Sequence, residues 1–247
     1  MRNHVAALEL SLLKTLFPKS PDLLSENNTG PSKISLLGER LVGKLKGKTV
    51  IDFGCGHGAE AIHMAQLGAA RVIGIDIQQS HLNIAKERAR QAGVEGRCAF
   101  ATSTTEPADI IVSIDAFEHF ADPAQILDVM HGLLKPGGEA FISFGPTWFH
   151  PLGGHLFSVF PWAHLLFSEK ALIQWRSTFK NDGATRFHEV AGGLNQITIK
   201  KFNNFVSKSN FDPVDMELVP IQKLRPVHNR LTREFTTALV RAELVKH

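Results

Sequence analysis

The ten residues Thr49–Gly58, which read TVIDFGCGHG, constrain the fold more than any other part of the chain. The apolar residues up to Phe53 predict a short buried strand, and glycines follow it at positions 54, 56 and 58. Because glycine has no Cβ, such a loop can turn sharply and let a ligand approach the end of the strand. The pattern predicts an α/β fold with a ligand site at this turn.

An acidic residue, Asp76, ends the next apolar run, VIGIDI. An ionised carboxylate offers two acceptor oxygens and can accept hydrogen bonds from both hydroxyls of a ribose. The glycines are spaced G-x-G-x-G, with Asp52 two residues before the first, which differs from the G-x-x-G ending of a dinucleotide fingerprint. Together the two segments predict a nucleotide-type cofactor site. The alternative is a turn in an ordinary α/β protein.

In this form the sequence resembles class I S-adenosylmethionine-dependent methyltransferases of the small-molecule type, similar to methyltransferase domain 11. Two later segments carry the same resemblance: DIIVSIDAFEHF at 109–120 and LLKPGGEAFISF at 133–144. The resemblance covers about residues 41–144 well and the last forty more loosely. It implies S-adenosylmethionine as cofactor, S-adenosylhomocysteine as product and no metal. The implied cofactor-binding residues are Asp52, Gly54, Cys55, Gly56, Gly58, Asp76, Ile77, Thr102, Ser103, Asp115, Ala116 and Phe117.

One departure from the family pattern concerns the adenine contact. Many relatives place an acidic residue just after the third strand, where it binds the adenine amino group. Here the corresponding run is FATSTTEP, and its first acid is Glu106. We expect Thr102 or Ser103 to accept that hydrogen bond instead.

Alternating strand and helix patterns predict a Rossmann-like, doubly wound sheet. Strands are expected near 49–53, 71–76, 97–101, 108–114 and 139–144, and helices near 58–67, 80–92 and 123–134. Two further strands are expected in the tail, from Val214 and from Glu234. With the resemblance, they imply seven strands, mostly parallel, with an antiparallel last strand.

The chain is expected to form one methyltransferase domain, 1–247, with four parts. Residues 1–47 are predicted to be a helical N-terminal lid, with helices at Val5–Phe17 and Ile34–Leu45 and a polar break at 20–32. Residues 48–144 form the cofactor-binding core. Residues 145–200 form a cap insertion after the fifth strand, and residues 201–247 supply a C-terminal helix and the last two strands.

The cap insertion is crowded with aromatic residues and interrupted by glycine and proline. Loops at the carboxyl edge of such a sheet form the wall of the ligand pocket, and aromatic walls suit flat or apolar ligands. We therefore expect substrate contacts from Trp148, Phe149, Phe157 and Trp162. The alternatives are that these aromatics pack a cap core, form a homodimer contact or lie on a membrane surface.

Methyl transfer is an in-line displacement, so holding the reacting atoms in line is the main requirement. An acceptor hydroxyl must also lose a proton, and histidine is the side chain best suited to accept it near neutral pH. The candidates are His119, His150 and His155; for His119 the alternative is a scaffold role. Their spacing matches no metal-ligand motif.

Composition narrows the function classes. The net charge is +3, the two cysteines fit neither a disulfide framework nor a zinc site, and no apolar run is long enough to span a bilayer. These features predict a cytoplasmic enzyme that methylates a small aromatic or apolar acceptor, with oxygen favoured over nitrogen or carbon. Nucleic acid is disfavoured as a partner. A tRNA or other macromolecular methyltransferase, and a non-catalytic S-adenosylmethionine-binding protein, stay as alternatives.

Overall fold

The computed structural model describes residues 2–18, 31–190 and 192–247, with side chains from residue 4 onward in the first range. Most of the polar break predicted at 20–32 lies outside these residues. The ranges include the whole predicted core and the whole tail, so the sheet and its surroundings can be compared directly with the sequence predictions.

Seven strands form one sheet in the order β3-β2-β1-β4-β5-β7-β6. Their bounds are β1 Thr49–Phe53, β2 Arg71–Ile75, β3 Cys98–Ala101, β4 Ala108–Ile114, β5 Leu134–Phe144, β6 Asp212–Pro220 and β7 Thr237–Val245. The first five strands run parallel, whereas β7 lies antiparallel between β5 and β6. The predicted seven-stranded Rossmann-like fold with an antiparallel last strand is confirmed.

β5 begins earlier than its predicted start at 139. Leu134 pairs with Ala108, and the ladder resumes at Glu139 opposite Ile110, so residues 135–138 bulge from the strand. The Lys-Pro-Gly-Gly turn is held from the far end of the chain, because Gly137 donates to the Lys246 carbonyl at 2.8 Å. Contact with the residues that follow β7 therefore extends the strand.

The helices are α1 Arg2–Leu16, α2 Glu39–Lys44, α3 Ala59–Gln66, α4 Gln79–Gln91, α5 Pro123–Leu133, α6 Ala163–Leu166, α7 Glu169–Arg176, α8 Ile199–Lys208 and α9 Arg233–Thr236. The single helix predicted at 34–45 is wrong in one respect: Gly38, at φ +84°, separates a 3₁₀ turn at 34–37 from α2. α5 starts as predicted, because the Asp122 carboxylate accepts from the N–H groups of Ala124 and Gln125. Within the described residues, no helix combines the length and apolar character needed to cross a membrane.

Apolar side chains gather in three separate clusters. One lies on the face of the sheet covered by α2, α3 and α4, and another on the face covered by α5 and α8. The third joins Leu13 of α1 to Phe157, to Trp175 of α7 and to Phe187, away from the sheet. The N-terminal helix therefore packs against the cap insertion.

Candidate active site

The carboxyl ends of β1, β2, β3 and β4 lie side by side at one edge of the sheet, because these strands are parallel neighbours. The predicted cofactor residues lie at these four ends: Asp52 inside the end of β1 and 54–58 after it, 76–77 after β2, 102–103 after β3 and 115–117 after β4. In an open α/β sheet this edge is where ligands bind. The topology thus brings the whole predicted set together.

The glycine loop after β1 has a backbone that suits glycine at all three positions. Gly54, Gly56 and Gly58 have φ angles of +85°, +48° and +77°. A Cβ at Gly54 would lie 2.8 Å from the Ala116 Cβ, and one at Gly58 would lie 2.8 Å from the Ala85 Cβ. Both outer glycines are therefore fixed by packing as well as by backbone conformation.

Asp76 binds the middle of that loop. Its Oδ2 accepts from the Gly56 N–H at 2.9 Å and its Oδ1 accepts from the Gln78 N–H at 2.8 Å. Each oxygen keeps a further lone pair for a hydroxyl. The next side chain, Ile77, is 90% exposed and presents an apolar surface beside the carboxylate. This pairing of an acceptor and an apolar surface fits a ribose joined to a flat base.

Two buried groups at this strand end have raised pKa values. Burial, with the neighbouring Glu60 and Asp76 carboxylates adding to it, raises the pKa of Asp52 well above its usual range. Asp52 Oδ2 has no hydrogen-bond partner among the described residues. Burial likewise raises the pKa of the Cys55 thiol, which argues against a reactive thiolate. The unpartnered Asp52 oxygen is consistent with a ligand group at this strand end.

Lys33 reaches this edge from the N-terminal region. Its Nζ lies 2.5 Å from Asp115 Oδ2, and its backbone N–H donates to Glu60 Oε1 at 3.0 Å. These bonds fasten the segment before α2 to the first turn of α3 and to the end of β4. The sequence analysis missed Lys33, and no local signal would have identified it, because 82 residues separate it from Asp115.

The two residues that follow β3 have hydroxyl side chains. Thr102 and Ser103 are both exposed just after β3. Glu106 Oε1 accepts from Arg71 Nε at 2.6 Å, and Arg71 begins β2 at the opposite edge of the sheet. Glu106 is thus held away from the site, in keeping with the expected use of Thr102 or Ser103.

The structure brings two of the three predicted histidines together. The rings of His119 and His155 pack edge to face, with centroids 5.3 Å apart. His119 Nδ1 lies 2.8 Å from the Gly193 carbonyl oxygen, which can only accept, so Nδ1 donates and Nε2 is left to take a proton. Burial, and next the charge of His119, lower the pKa of His155 to about 4.

The third, His150, stabilises the turn in which it lies. Its Nδ1 accepts from the Leu152 N–H at 2.9 Å, and burial lowers its pKa to about 4. A histidine outside the predicted set, His164, links the cap insertion internally: its Nδ1 lies 2.9 Å from Ser158 Oγ and its Nε2 lies 2.7 Å from the Trp148 carbonyl.

Glu118, beside His119, is a further buried group that the sequence analysis did not assign. Its side chain is 4% exposed, and Oε2 has no partner in the described part of the chain. Burial raises its pKa to about 8, with the Asp115 carboxylate adding to the shift. Glu118 is therefore mostly protonated at neutral pH and can donate a hydrogen bond.

The predicted substrate aromatics fall into two groups. Phe157 is 1% exposed and packs on Phe187 at 4.8 Å, inside the cap core, where a ligand would reach it only if the cap opened. Trp148, Phe149 and Trp162 are half-buried. Trp162 Nε1 donates to the Phe149 carbonyl at 3.0 Å, which fixes two of them relative to each other. Their role in substrate contact stays a prediction. Across the described residues, no three His, Cys, Asp or Glu side chains are grouped to hold a metal ion.

Comparison with known proteins adds to this geometry. A family described as a methyltransferase domain matches residues 44–146. A ribosomal protein L11 methyltransferase of Vibrio cholerae is 42% identical over 100 residues, which are 40% of this chain and 34% of that protein. A ubiquinone biosynthesis O-methyltransferase of Acinetobacter baylyi is 35% identical over 151 residues, 57% of this chain and 63% of that protein.

A solved structure, an S-adenosylmethionine-dependent methyltransferase from Mesorhizobium loti, has the same fold with a TM-score of 0.60 at 18% identity, covering 88% of this chain and 99% of that one. The sequence matches are shorter. The chain spans 34% of the Vibrio cholerae relative and 63% of the Acinetobacter baylyi relative. The family match is to residues 44–146, whereas the likeness of fold to the Mesorhizobium loti structure extends over most of the chain.

Proposed function

We propose that this chain is a class I S-adenosylmethionine-dependent methyltransferase that transfers a methyl group to a small apolar or aromatic acceptor, at an oxygen atom. The match of residues 44–146 to a methyltransferase domain and the strand order of the sheet support the proposal. The observation that carries this proposal is the contact between Asp76 and the Gly56 N–H at 2.9 Å. This contact holds the carboxylate that is expected to bind a ribose against the glycine loop, so the two belong to one site.

The residues at the strand ends fit the cofactor. S-adenosylmethionine, when bound, supplies an electrophilic methyl group on a sulfonium. Gly56 lets the chain pass close to the ligand, and Asp76 accepts from the ribose hydroxyls. Ile77 packs against the adenine, and Thr102 or Ser103 accepts from its amino group. Held in this way, the reacting atoms are lined up before the chemical step, which is where most of the rate gain of such a displacement arises.

His119 is assigned to take the proton of the acceptor hydroxyl. The Gly193 carbonyl keeps its Nδ1 protonated, so the lone pair of Nε2 is the base. His155, whose pKa of about 4 keeps it neutral, packs on the His119 ring and orients it. A general base of this kind contributes roughly a hundredfold or more to the rate.

The class of acceptor rests on the cap. Trp148, Phe149 and Trp162 are half-buried and offer flat apolar surface in the cap insertion, which also carries His155. The Acinetobacter baylyi relative, named for an O-methyltransferase of ubiquinone biosynthesis, supports an oxygen acceptor. The Vibrio cholerae relative favours a second candidate, a protein acceptor, but its similarity covers only 100 residues.

Calorimetry tests the cofactor first. We expect the purified protein to bind S-adenosylmethionine and S-adenosylhomocysteine, and not NADH. A methyl-transfer screen with phenols, catechols, ribosomal protein L11 and bulk tRNA then tests the acceptor class. Transfer to L11 or tRNA with none to the phenols would contradict the small-molecule assignment, and binding of NADH alone would contradict the cofactor assignment.

Single-turnover rates measured against pH test the base. We expect His119→Ala to lower the rate roughly a hundredfold, and His150→Ala to leave the pH profile unchanged. His155→Ala should have an intermediate effect, because it removes the neighbouring ring only. If His119→Ala keeps the parent rate and profile, the base assignment is wrong.

A further inference from the structure

The connection between β6 and β7, residues 221–236, carries positive charge at the carboxyl edge of the sheet. Its position follows from pairing of the last residue of β5, Phe144, with Val240 of β7. Four cations stand in this basic connection and a fifth on the neighbouring α8: Lys223, Arg225, Arg230, Arg233 and Lys200. All but the half-buried Arg233 are exposed.

These five cations are not neutralised by the protein. Among residues 2–18, 31–190 and 192–247, none of them has a carboxylate within ion-pair distance. The one acid of the connection, Glu234, caps the start of α8. Its oxygens accept from the backbone N–H groups of Ile199 at 3.1 Å and Lys200 at 2.9 Å. The charge therefore faces solvent.

Apolar side chains project from the same connection. Leu231 is 91% exposed and Val227 is 53% exposed. The turn that carries them is rigid: Asn229 Oδ1 accepts from the Leu231 N–H at 2.9 Å, and Thr232 Oγ1 donates to the Val227 carbonyl at 2.6 Å. A leucine held outward by a hydrogen-bonded turn cannot fold back to cover itself.

The connection also lies next to the cap insertion. Phe235, near its end, packs on Phe149 with ring centroids 5.2 Å apart. The Ile221 N–H donates to the Thr236 carbonyl at 2.8 Å, which closes the base of the connection against β7. Whatever binds the connection is therefore brought beside the acceptor side of the candidate active site.

We propose that the basic connection docks this protein on the surface of an anionic phospholipid bilayer. The cations bind the phosphate groups, and Leu231 with Val227 enters the interface between headgroups and acyl chains. The exposed Leu231 and Val227 and the unpaired cations of the connection match a bilayer, which has negative headgroups at its surface and apolar acyl chains beneath them. This docking does not depend on methyl transfer, and the experiment that tests it measures vesicle binding only.

The same observations disfavour the other partners. Binding of single-stranded nucleic acid uses several exposed aromatic rings for stacking, whereas the connection has a single phenylalanine, Phe235, which is 44% exposed and packs on Phe149. A second copy of this chain, docking through the same face, would bring like charges together. Phosphate and base contacts to a nucleic acid would also leave unused a leucine that is 91% exposed.

Sedimentation with vesicles tests the proposal. We expect the protein to bind vesicles of two parts phosphatidylcholine to one part phosphatidylglycerol, and not vesicles of phosphatidylcholine alone. Replacing two cations together, Arg225→Gln with Arg230→Gln, should weaken binding roughly tenfold to thirtyfold, because each cation near an anionic surface contributes attraction. Leu231→Ser should weaken it roughly tenfold. The charge-keeping pair Arg225→Lys with Arg230→Lys should retain binding.

Two matched controls keep the result specific. Lys46→Gln with Lys48→Gln removes two exposed cations just before β1, at the opposite edge of the sheet, and Leu8→Ser removes a leucine of α1 that is 73% exposed. Both should leave vesicle binding unchanged. Equal losses in controls and test variants would overturn the proposal. So would tighter binding to labelled poly(U) RNA than to vesicles, with no effect of Leu231→Ser.

Discussion

The cofactor edge and the cap insertion are built in different ways. Apart from the bonds of Lys33, the contacts described at the cofactor edge are short in sequence or lie between neighbouring strand ends, as in the bond between Asp76 and Gly56. In the cap, the connections are long: the Trp175 indole donates to the Phe17 carbonyl at 2.8 Å, and Ser168 donates from both its N–H and its hydroxyl to Glu9. The first region is an extension of the sheet, whereas the second depends on a helix from the start of the chain.

This difference predicts that the two regions can be perturbed separately. Changes at the strand ends should affect cofactor binding and the fold together, because the glycine loop is packed on the sheet. Changes in the cap should affect acceptor binding and local stability, with the cofactor affinity preserved. The following variants test this separation, in order of decreasing effect.

Gly58→Val should have the largest effect. A Cβ there meets Ala85 at 2.8 Å and the backbone has φ +77°, so we expect a loss of about 4 kcal/mol in the free energy of unfolding from left-handed strain and overpacking. Urea denaturation measures it. The control is Gly132→Ala, at an open position in α5, which should gain about 0.5–1 kcal/mol. Similar effects of both variants would contradict the packing argument.

Asp76→Ala should weaken binding of S-adenosylmethionine by about 2–4 kcal/mol, because two charge-assisted hydrogen bonds to the ribose are lost. Calorimetry measures it, and the cap should keep its tryptophan fluorescence. Glu106→Ala is the matched control, since that acid is bound to Arg71 at the other edge. An unchanged affinity of the Asp76 variant would remove the ribose assignment.

Acid should weaken the cap selectively. The pKa of His155 is lowered to about 4 by burial, below the value of about 6.5 in an unfolded chain. Its contribution to stability is therefore complete above about pH 6.5 and is lost as the pH falls through 4. We expect a loss of roughly 2 kcal/mol between pH 7 and pH 4, measured by urea denaturation followed by tryptophan fluorescence.

His155→Gln should remove that part of the acid sensitivity. Glu118 acts in the opposite direction: its pKa is raised to about 8, so its stabilising contribution is present at low pH and is lost as the pH rises from about 4.5 towards 8. Glu118→Gln should therefore be more stable than the parent near pH 8. Parallel pH profiles for all three proteins would show that neither group governs stability.

Ser168→Ala should have the smallest effect. It removes the N-cap of α7 and the hydroxyl donor to Glu9, at a cost of about 1 kcal/mol. We expect a raised KM for the acceptor and an unchanged affinity for S-adenosylmethionine. Ser177→Ala, at the other end of α7, is the control and should change neither value. A change in cofactor affinity would mean that the two regions are coupled.

The strand and the glycine loop at the cofactor edge could be predicted from the sequence because local rules determine them, whereas the roles of the residues there stay predictions. Gly54 and Gly58 are forced by backbone and packing at their own positions, and a strand followed by glycines and an acid places Asp76 without knowledge of any distant residue. The break at Gly38 was missed because the apolar pattern of 34–45 continues on both sides of it.

The rest depends on contacts between distant parts of the chain. The pair of Lys33 and Asp115 and the bond from His119 to Gly193 each join segments that no periodicity relates, and the burial of the unpartnered Glu118 oxygen also depends on the folded chain. Sequence reasoning named the aromatics of the cap, but it could not separate Phe157, which packs the cap core, from the three half-buried rings. Only the folded cap makes that distinction.

The place of β7 between β5 and β6 also bears on how the protein is made. β7 follows every other strand along the chain, yet it is the partner of both β5 and β6. During synthesis the outer edge of β5 stays unpaired, and β6 has no strand to join, until β7 has left the ribosome. Unpaired edges are sites of aggregation, so a ribosome that stalls just before Thr237 would leave a nascent chain that needs chaperone protection.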